Sequence, residues 1–166
     1  MPRAPQRTRS VIDLPDLAAT EAFAAALAPL LRRGDVVALA GDLGAGKTAL
    51  ARAVIRARAG SSIEVPSPTF TLLQTYPLPG LALAHADLYR IEDPDEMAEI
   101  GLEAAWEEGC LLVEWPERGA GYLPADRLDL RLEEVAGDLD ARRLRVEAGP
   151  IWAGRLSLLT RFGAIP

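Results

Sequence analysis

Gly41-Asp42-Leu43-Gly44-Ala45-Gly46-Lys47-Thr48 lies between a short apolar run, residues 35–40 (DVVALA), and residues 47–58, which read as a helix closed by Gly60. The octet matches G-x-x-x-x-G-K-[ST] without a gap and in the strand–loop–helix setting that the motif requires. Each residue type has a physical reason. Glycines let the backbone curl until several N–H groups point at phosphate oxygens. The helix start adds partial positive charge and unsatisfied donors. Lys47 is a mobile point charge for the β- and γ-phosphates, and the Thr48 hydroxyl is a ligand for a Mg²⁺ that shares them. The predicted cradle runs from Asp42 through Leu43, Gly44, Ala45 and Gly46 to Lys47, Thr48 and Ala49. Its ligand is a nucleoside triphosphate.

Charge outside the loop sharpens this reading. Of the 18 basic residues, Lys47 is the single lysine and all others are arginine. A guanine-reading Asn-Lys-x-Asp element therefore cannot occur, so ATP is the expected nucleotide. The length of 166 residues suits one domain spanning the chain, with residues 1–8 expected to be flexible. A net charge of −6 excludes a generally basic surface that would coat nucleic acid. RNA contact would need a local basic patch or a partner protein. The lone Cys110 excludes an internal disulfide framework and a thiolate zinc cluster. The basic start MPRAPQRTRS leads into no apolar run, and no stretch approaches a membrane span. A soluble, cytoplasmic protein without a membrane partner is expected.

Alanine and leucine dominate the apolar positions, which favours helices packed on a modest sheet. Strands are expected at residues 9–14, 35–40, 81–87 and 110–114, with residues 63–76 a loop leading into another. Residues 127–133 and 142–147 alternate apolar and charged side chains and predict an antiparallel hairpin with one wet face. Helices are expected at residues 20–31, with Thr20 as N-cap, at 94–99, and at 151–161. The class is α/β, a P-loop NTPase-like domain with a central mixed β-sheet flanked by helices. A P-loop enzyme also needs carboxylates near Mg²⁺, usually where an apolar strand ends. Asp87 ends LALAHAD and Glu114 ends CLLVE. Either could hold the metal, orient the attacking water, or cap a loop.

Four strings occur in order: GDLGAGKT, Val65-Pro66-Ser67-Pro68-Thr69-Phe70, His85-Ala86-Asp87-Leu88-Tyr89-Arg90 and Glu114-Trp115-Pro116. Together they closely resemble the bacterial TsaE (YjeE) family, over about residues 9–147. The resemblance implies a P-loop domain that binds ATP and Mg²⁺ and hydrolyses ATP weakly alone. It implies work with TsaB and TsaD in threonylcarbamoylation of the adenosine 3′ of the anticodon, in tRNAs reading A-starting codons. It makes Lys47 the phosphate lysine, Thr48 the Mg²⁺ hydroxyl, and residues 67–70 a switch-like loop facing the γ-phosphate. Asp87 then matches an aspartate important for activity, and Glu114 a metal or water ligand. Lys47, Asp87 and Glu114 form the implied catalytic set, and Thr20 and Arg142 match positions near the nucleotide. Ala49 departs from the second hydroxyl that many relatives carry, leaving only its backbone N–H there.

Other residues carry two readings. His85, the sole histidine, either hydrogen-bonds within the fold or has a nucleotide-linked role. Cys110 reads as a small core residue. Trp115 packs against its own fold, the nucleotide or a partner. Arg90 makes a switch contact or pairs with Asp87 or another carboxylate. From Asp87 to Glu117 there are 11 acidic residues and one basic residue, either a solvated face or a docking surface for a basic partner. Either would repel tRNA phosphates, so tRNA is expected to meet the TsaB–TsaD complex rather than this chain. A small-molecule kinase is the alternative function, although Arg52, Arg56 and Arg58 lie on the helix after the P-loop and no lid insertion is evident. A nucleotide-gated binding module is a third.

Overall fold

The computed structural model describes residues 6–119 and 121–159. Among them seven strands form one sheet: β1 (Thr8–Leu14), β2 (Val36–Ala40), β3 (Leu73–Leu78), β4 (Leu81–Asp87), β5 (Cys110–Glu114), β6 (Leu128–Val135) and β7 (Asp138–Ala148). Their spatial order is β1-β7-β6-β2-β5-β4-β3. The inner four, β6-β2-β5-β4, run parallel, and both flanks are antiparallel. The α/β class and mixed sheet are as the sequence implied.

Burial explains why the strands read so differently. β2 and β5 are covered on both faces, so they are continuous apolar runs. One face carries α1 (Leu17–Leu27), α2 (Lys47–Ala59) and α5 (Ala153–Leu159), which pack with Leu39, Leu83, Leu112 and Leu130. The other carries α3 (Glu96–Ile100) and α4 (Leu102–Glu108) over residues of β2, β4 and β5, among them Ala38, Ala86 and Val113. Beyond that cover, β1, β7 and β6 expose charged side chains that pair across the ladder: Arg9 with Glu147, Arg143 with Asp13, Arg145 with Glu133. This half-wet surface is the source of the alternation in residues 127–147.

Several boundaries differ from expectation. Thr20 does not cap α1. The helix starts at Leu17, where the Asp16 carboxylate accepts from the Ala19 N–H at 2.8 Å. Thr20 instead joins Phe23, Ala24 and Leu27 on the buried stripe. The helix ends at Leu27 and tightens into a 3₁₀ turn, Ala28–Leu30, around Pro29. Thr8 already belongs to β1, inside the stretch expected to be flexible, and residues 1–5 lie outside the described residues. Helix α4 was not anticipated. The C-terminal helix begins at Ala153 after a 3₁₀ turn, Pro150–Trp152, and the last residues of its expected span lie outside the described residues.

One buried pair ties that helix to the sheet. Arg155 grips Asp35, the residue before β2, with bonds of 2.6 and 3.0 Å. It also donates to the Leu30 carbonyl at 2.9 Å and lies 3.7 Å from the Trp152 ring centroid.

Candidate functional site

The parallel strands β2, β5 and β4 all point their C-terminal ends at one edge, the usual position for a ligand in such sheets. β2 releases the P-loop there, β5 ends in Glu114, and β4 ends in Asp87 directly opposite it in register. Three sequence-distant segments are thereby brought together.

Gly41 makes the turn out of β2 with φ +147°, and a Cβ there would stand 2.7 Å from the Leu132 carbonyl oxygen. Only glycine allows the loop to lie this close to β6. Lys47 opens α2 but is 5% exposed. Its Nζ donates to the carbonyls of Gly41 at 2.6 Å and Asp42 at 2.8 Å. The Trp115 ring covers it, with its centroid 4.1 Å away. Trp115 adopts φ +57°, a rare conformation for a bulky side chain, immediately after Glu114. Burial pushes the Lys47 ammonium below its ordinary pKa, against the opposing pull of Glu114, Glu117, Asp87 and Asp42.

Thr48 donates its hydroxyl to Glu114 Oε1 at 2.7 Å. The other oxygen, Oε2, lies 2.7 Å from His85 Nε2, and both residues are buried. Asp87 is held separately: Oδ2 accepts from the Thr69 hydroxyl at 3.1 Å and Oδ1 from the Tyr89 N–H at 2.9 Å. Ser67 and Thr69 hydroxyl oxygens are 2.7 Å apart. Residues 67–70 are therefore linked to Asp87, while Glu114 is linked to the P-loop. This division was not visible in the sequence. A Thr hydroxyl beside a carboxylate can supply two hard oxygens to a Mg²⁺ that takes its remaining ligands from phosphate and water.

Gly44, Gly46, Lys47, Thr48, Asp87 and Glu114 face a common cleft of about 340 Å³. Leu43 lies on its rim and is strongly exposed, whereas Asp42 contributes its carbonyl to Lys47. Gly46 and Ala49 also line a second cleft of about 510 Å³, with Thr20, Ala45, Leu139 and Arg142. Arg142 comes from β7 and donates to the Ala45 carbonyl at 2.9 Å. Thus Thr20 and Arg142, far apart in sequence, line one cleft beside the P-loop.

Other candidates go elsewhere. Arg90 makes no ion pair among the described residues; its guanidinium stacks on the exposed Phe70 ring at 4.3 Å. Arg52 and Arg56 donate to the Val65 and Ile63 carbonyls, and Arg58 to that of Ala28, so they brace the fold. Cys110 is a core residue whose thiol is pushed up by burial. Glu92, Asp93, Asp95, Glu96, Glu99, Glu103, Glu107 and Glu108 are exposed and make no ion pair among the described residues. No helix among the described residues is long and apolar enough to cross a membrane.

Residues 14–144 match the family model described as threonylcarbamoyl adenosine biosynthesis protein TsaE. A tRNA threonylcarbamoyladenosine biosynthesis protein TsaE from Rickettsia bellii is 40% identical over 119 residues, covering 72% of this chain and 83% of that protein. A protein of the same description from Streptomyces coelicolor is 39% identical over 133 residues, covering 76% and 89%. Among solved structures, the crystal structure of Bacillus subtilis YdiB superposes with a TM-score of 0.76 at 28% identity, covering 95% of this chain and 98% of that one.

Proposed function

The chain belongs to the TsaE family of tRNA threonylcarbamoyladenosine biosynthesis, and from that premise we propose that it is an ATP-binding, Mg²⁺-dependent ATPase that acts with TsaB and TsaD. Its hydrolysis cycle drives or resets the threonylcarbamoyl-transferase assembly, and it makes no bond in tRNA itself. The observation that carries the reading is the 2.7 Å contact of Thr48 with Glu114 at the foot of a P-loop whose lysine lies beside them.

In this reading the backbone N–H groups from Gly44 to Thr48 bind the phosphates, and Lys47 exchanges the carbonyls of Gly41 and Asp42 for phosphate oxygens. Thr48 and Glu114 are the residues that would hold Mg²⁺, which would supply positive charge against the phosphates. Asp87 and Thr69 face the same cleft and orient the attacking water. Base and ribose lie in the adjoining cleft between Thr20 and Arg142, whose walls include the exposed Leu17 and Leu139. Because the acidic stretch from Asp87 to Glu117 repels phosphate backbones, tRNA engages through the TsaB–TsaD complex. The protein operates in the cytoplasm.

Lys47→Ala tests the premise by calorimetry with ATP. The folded variant is expected to lose most of its affinity, and undiminished binding would refute the phosphate role. Adding purified TsaB and TsaD to the unaltered chain is expected to stimulate ATP turnover; turnover that instead needs a metabolite acceptor would identify a kinase.

A further inference from the structure

We infer that His85 is a positioning residue for Glu114, holding one carboxylate oxygen so that the other is turned toward Thr48 and the P-loop. Its catalytic consequence rests on the ATPase reading; its premise rests on the ladder between β4 and β5. There His85 stands opposite Leu112, and Asp87 opposite Glu114. Opposed residues share a face and alternate residues return to it, so His85 and Glu114 project from the same side, one pair apart.

The contacts divide the carboxylate. Oε2 meets His85 Nε2 and Oε1 meets the Thr48 hydroxyl, each at 2.7 Å. Turning the carboxylate out of this plane would break both bonds. His85 is 0% exposed and Glu114 2%, so the bond between them lies away from bulk solvent. The remaining ring nitrogen, Nδ1, is buried without a partner among the described residues. A carboxylate oxygen accepts, so the contact with Oε2 calls for a proton on Nε2, donated to Glu114. The imidazole therefore does more than fill space: it holds one oxygen so that the other is presented to the site. Partners of this kind behind a metal ligand are regularly as important as the ligand's own orientation requires.

The sole histidine gives a single imidazole signal, so long-range ¹H–¹⁵N correlation on the full chain reads its proton directly. A proton on Nε2 is expected; an Nε2 that carries none overturns the inference. Mn²⁺ titration with a non-hydrolysable ATP analogue then compares three variants. His85→Leu fills the space without a donor and is expected to weaken Mn²⁺ binding about 10–100-fold. His85→Gln places its amide nitrogen near Nε2 and should restore binding, whereas His85→Asn, whose amide falls near Nδ1, should not. Metal-free nucleotide affinity should be unaffected in all three. Equal behaviour of the Leu and Gln variants overturns the inference in favour of simple packing. If the unaltered chain binds no Mn²⁺–nucleotide, the ATPase reading fails by itself, and the imidazole spectrum still decides the contact with Glu114. The same spectrum needs no variant to fold.

Discussion

Removing the Arg155 guanidinium should destabilise the protein while sparing the candidate site. Arg155→Met keeps the length and apolar stem but leaves the Asp35 carboxylate buried without its cation. Breaking a buried ion pair from one side costs about 3–5 kcal/mol. Asp35 retains one donor, the Arg32 N–H at 2.7 Å, which places the expected loss near the lower end. At ~2–4 °C per kcal/mol for a chain of this size, a loss of ~3 kcal/mol lowers Tm by roughly 6–12 °C. Urea unfolding followed by circular dichroism gives the free energy directly. The double variant Asp35→Asn, Arg155→Met removes the stranded charge and should recover part of the loss, giving a coupling of about 1–3 kcal/mol. A single-variant loss below about 1 kcal/mol, or strictly additive losses, would refute the argument that the pair is desolvated and coupled. Nucleotide affinity should be retained, because Arg155 faces Asp35 and Trp152 rather than either cleft.

Three further outcomes follow from the site and the core. Glu114→Gln should lower ATP hydrolysis at least about tenfold while preserving nucleotide-dependent association with TsaB–TsaD, whereas Asp87→Asn should impair both, since Asp87 holds Thr69 and the Tyr89 N–H; equal proportional losses in both assays would remove that division. Gly41→Ala should cost about 1–3 kcal/mol and weaken ATP binding, because its Cβ would meet the Leu132 carbonyl; unchanged urea midpoint and affinity would show that the loop can give way. Cys110, wholly buried and with its thiol pushed up, should ignore a disulfide exchange reagent at mildly alkaline pH until urea unfolds the chain, and rapid reaction of the native protein would contradict its place in the core.

The sequence made some of this legible and concealed the rest for identifiable reasons. β4 and β5 were readable to their last residues, because each is an apolar run that stops at a single carboxylate, Asp87 or Glu114. The hairpin of β6 and β7 was readable because its uncovered face must carry charge. Thr20 was misread because it is a good capping residue that happens to fall in an apolar stripe, while Asp16 caps four residues before the stripe begins. Helix α4 escaped notice because Gly101 resembles an end and Leu102 is its one fully buried side chain. The His85–Glu114–Thr48 chain depends on registry between β4 and β5, which local pattern does not encode; the two-residue spacing of His85 and Asp87 was the only hint. The Arg155–Asp35 clamp joins residues 120 positions apart and had no local signal at all.

The placing of β1 bears on how the protein is made. β1 pairs along its whole length with β7, whose other edge pairs with β6. Of the described strands, the first to leave the ribosome must therefore wait for the last. At synthesis rates of about 5–20 residues per second, the interval between them is roughly 6–25 s. Throughout it, Ile12 and Leu14, both buried in the finished fold, have no strand to lie beside. Arg142 arrives with β7, so the second cleft of the site cannot close around the P-loop until that pairing begins. Nascent chains halted just before residue 138 would accordingly carry a complete P-loop beside a half-built cleft, with an apolar strand edge open to other chains.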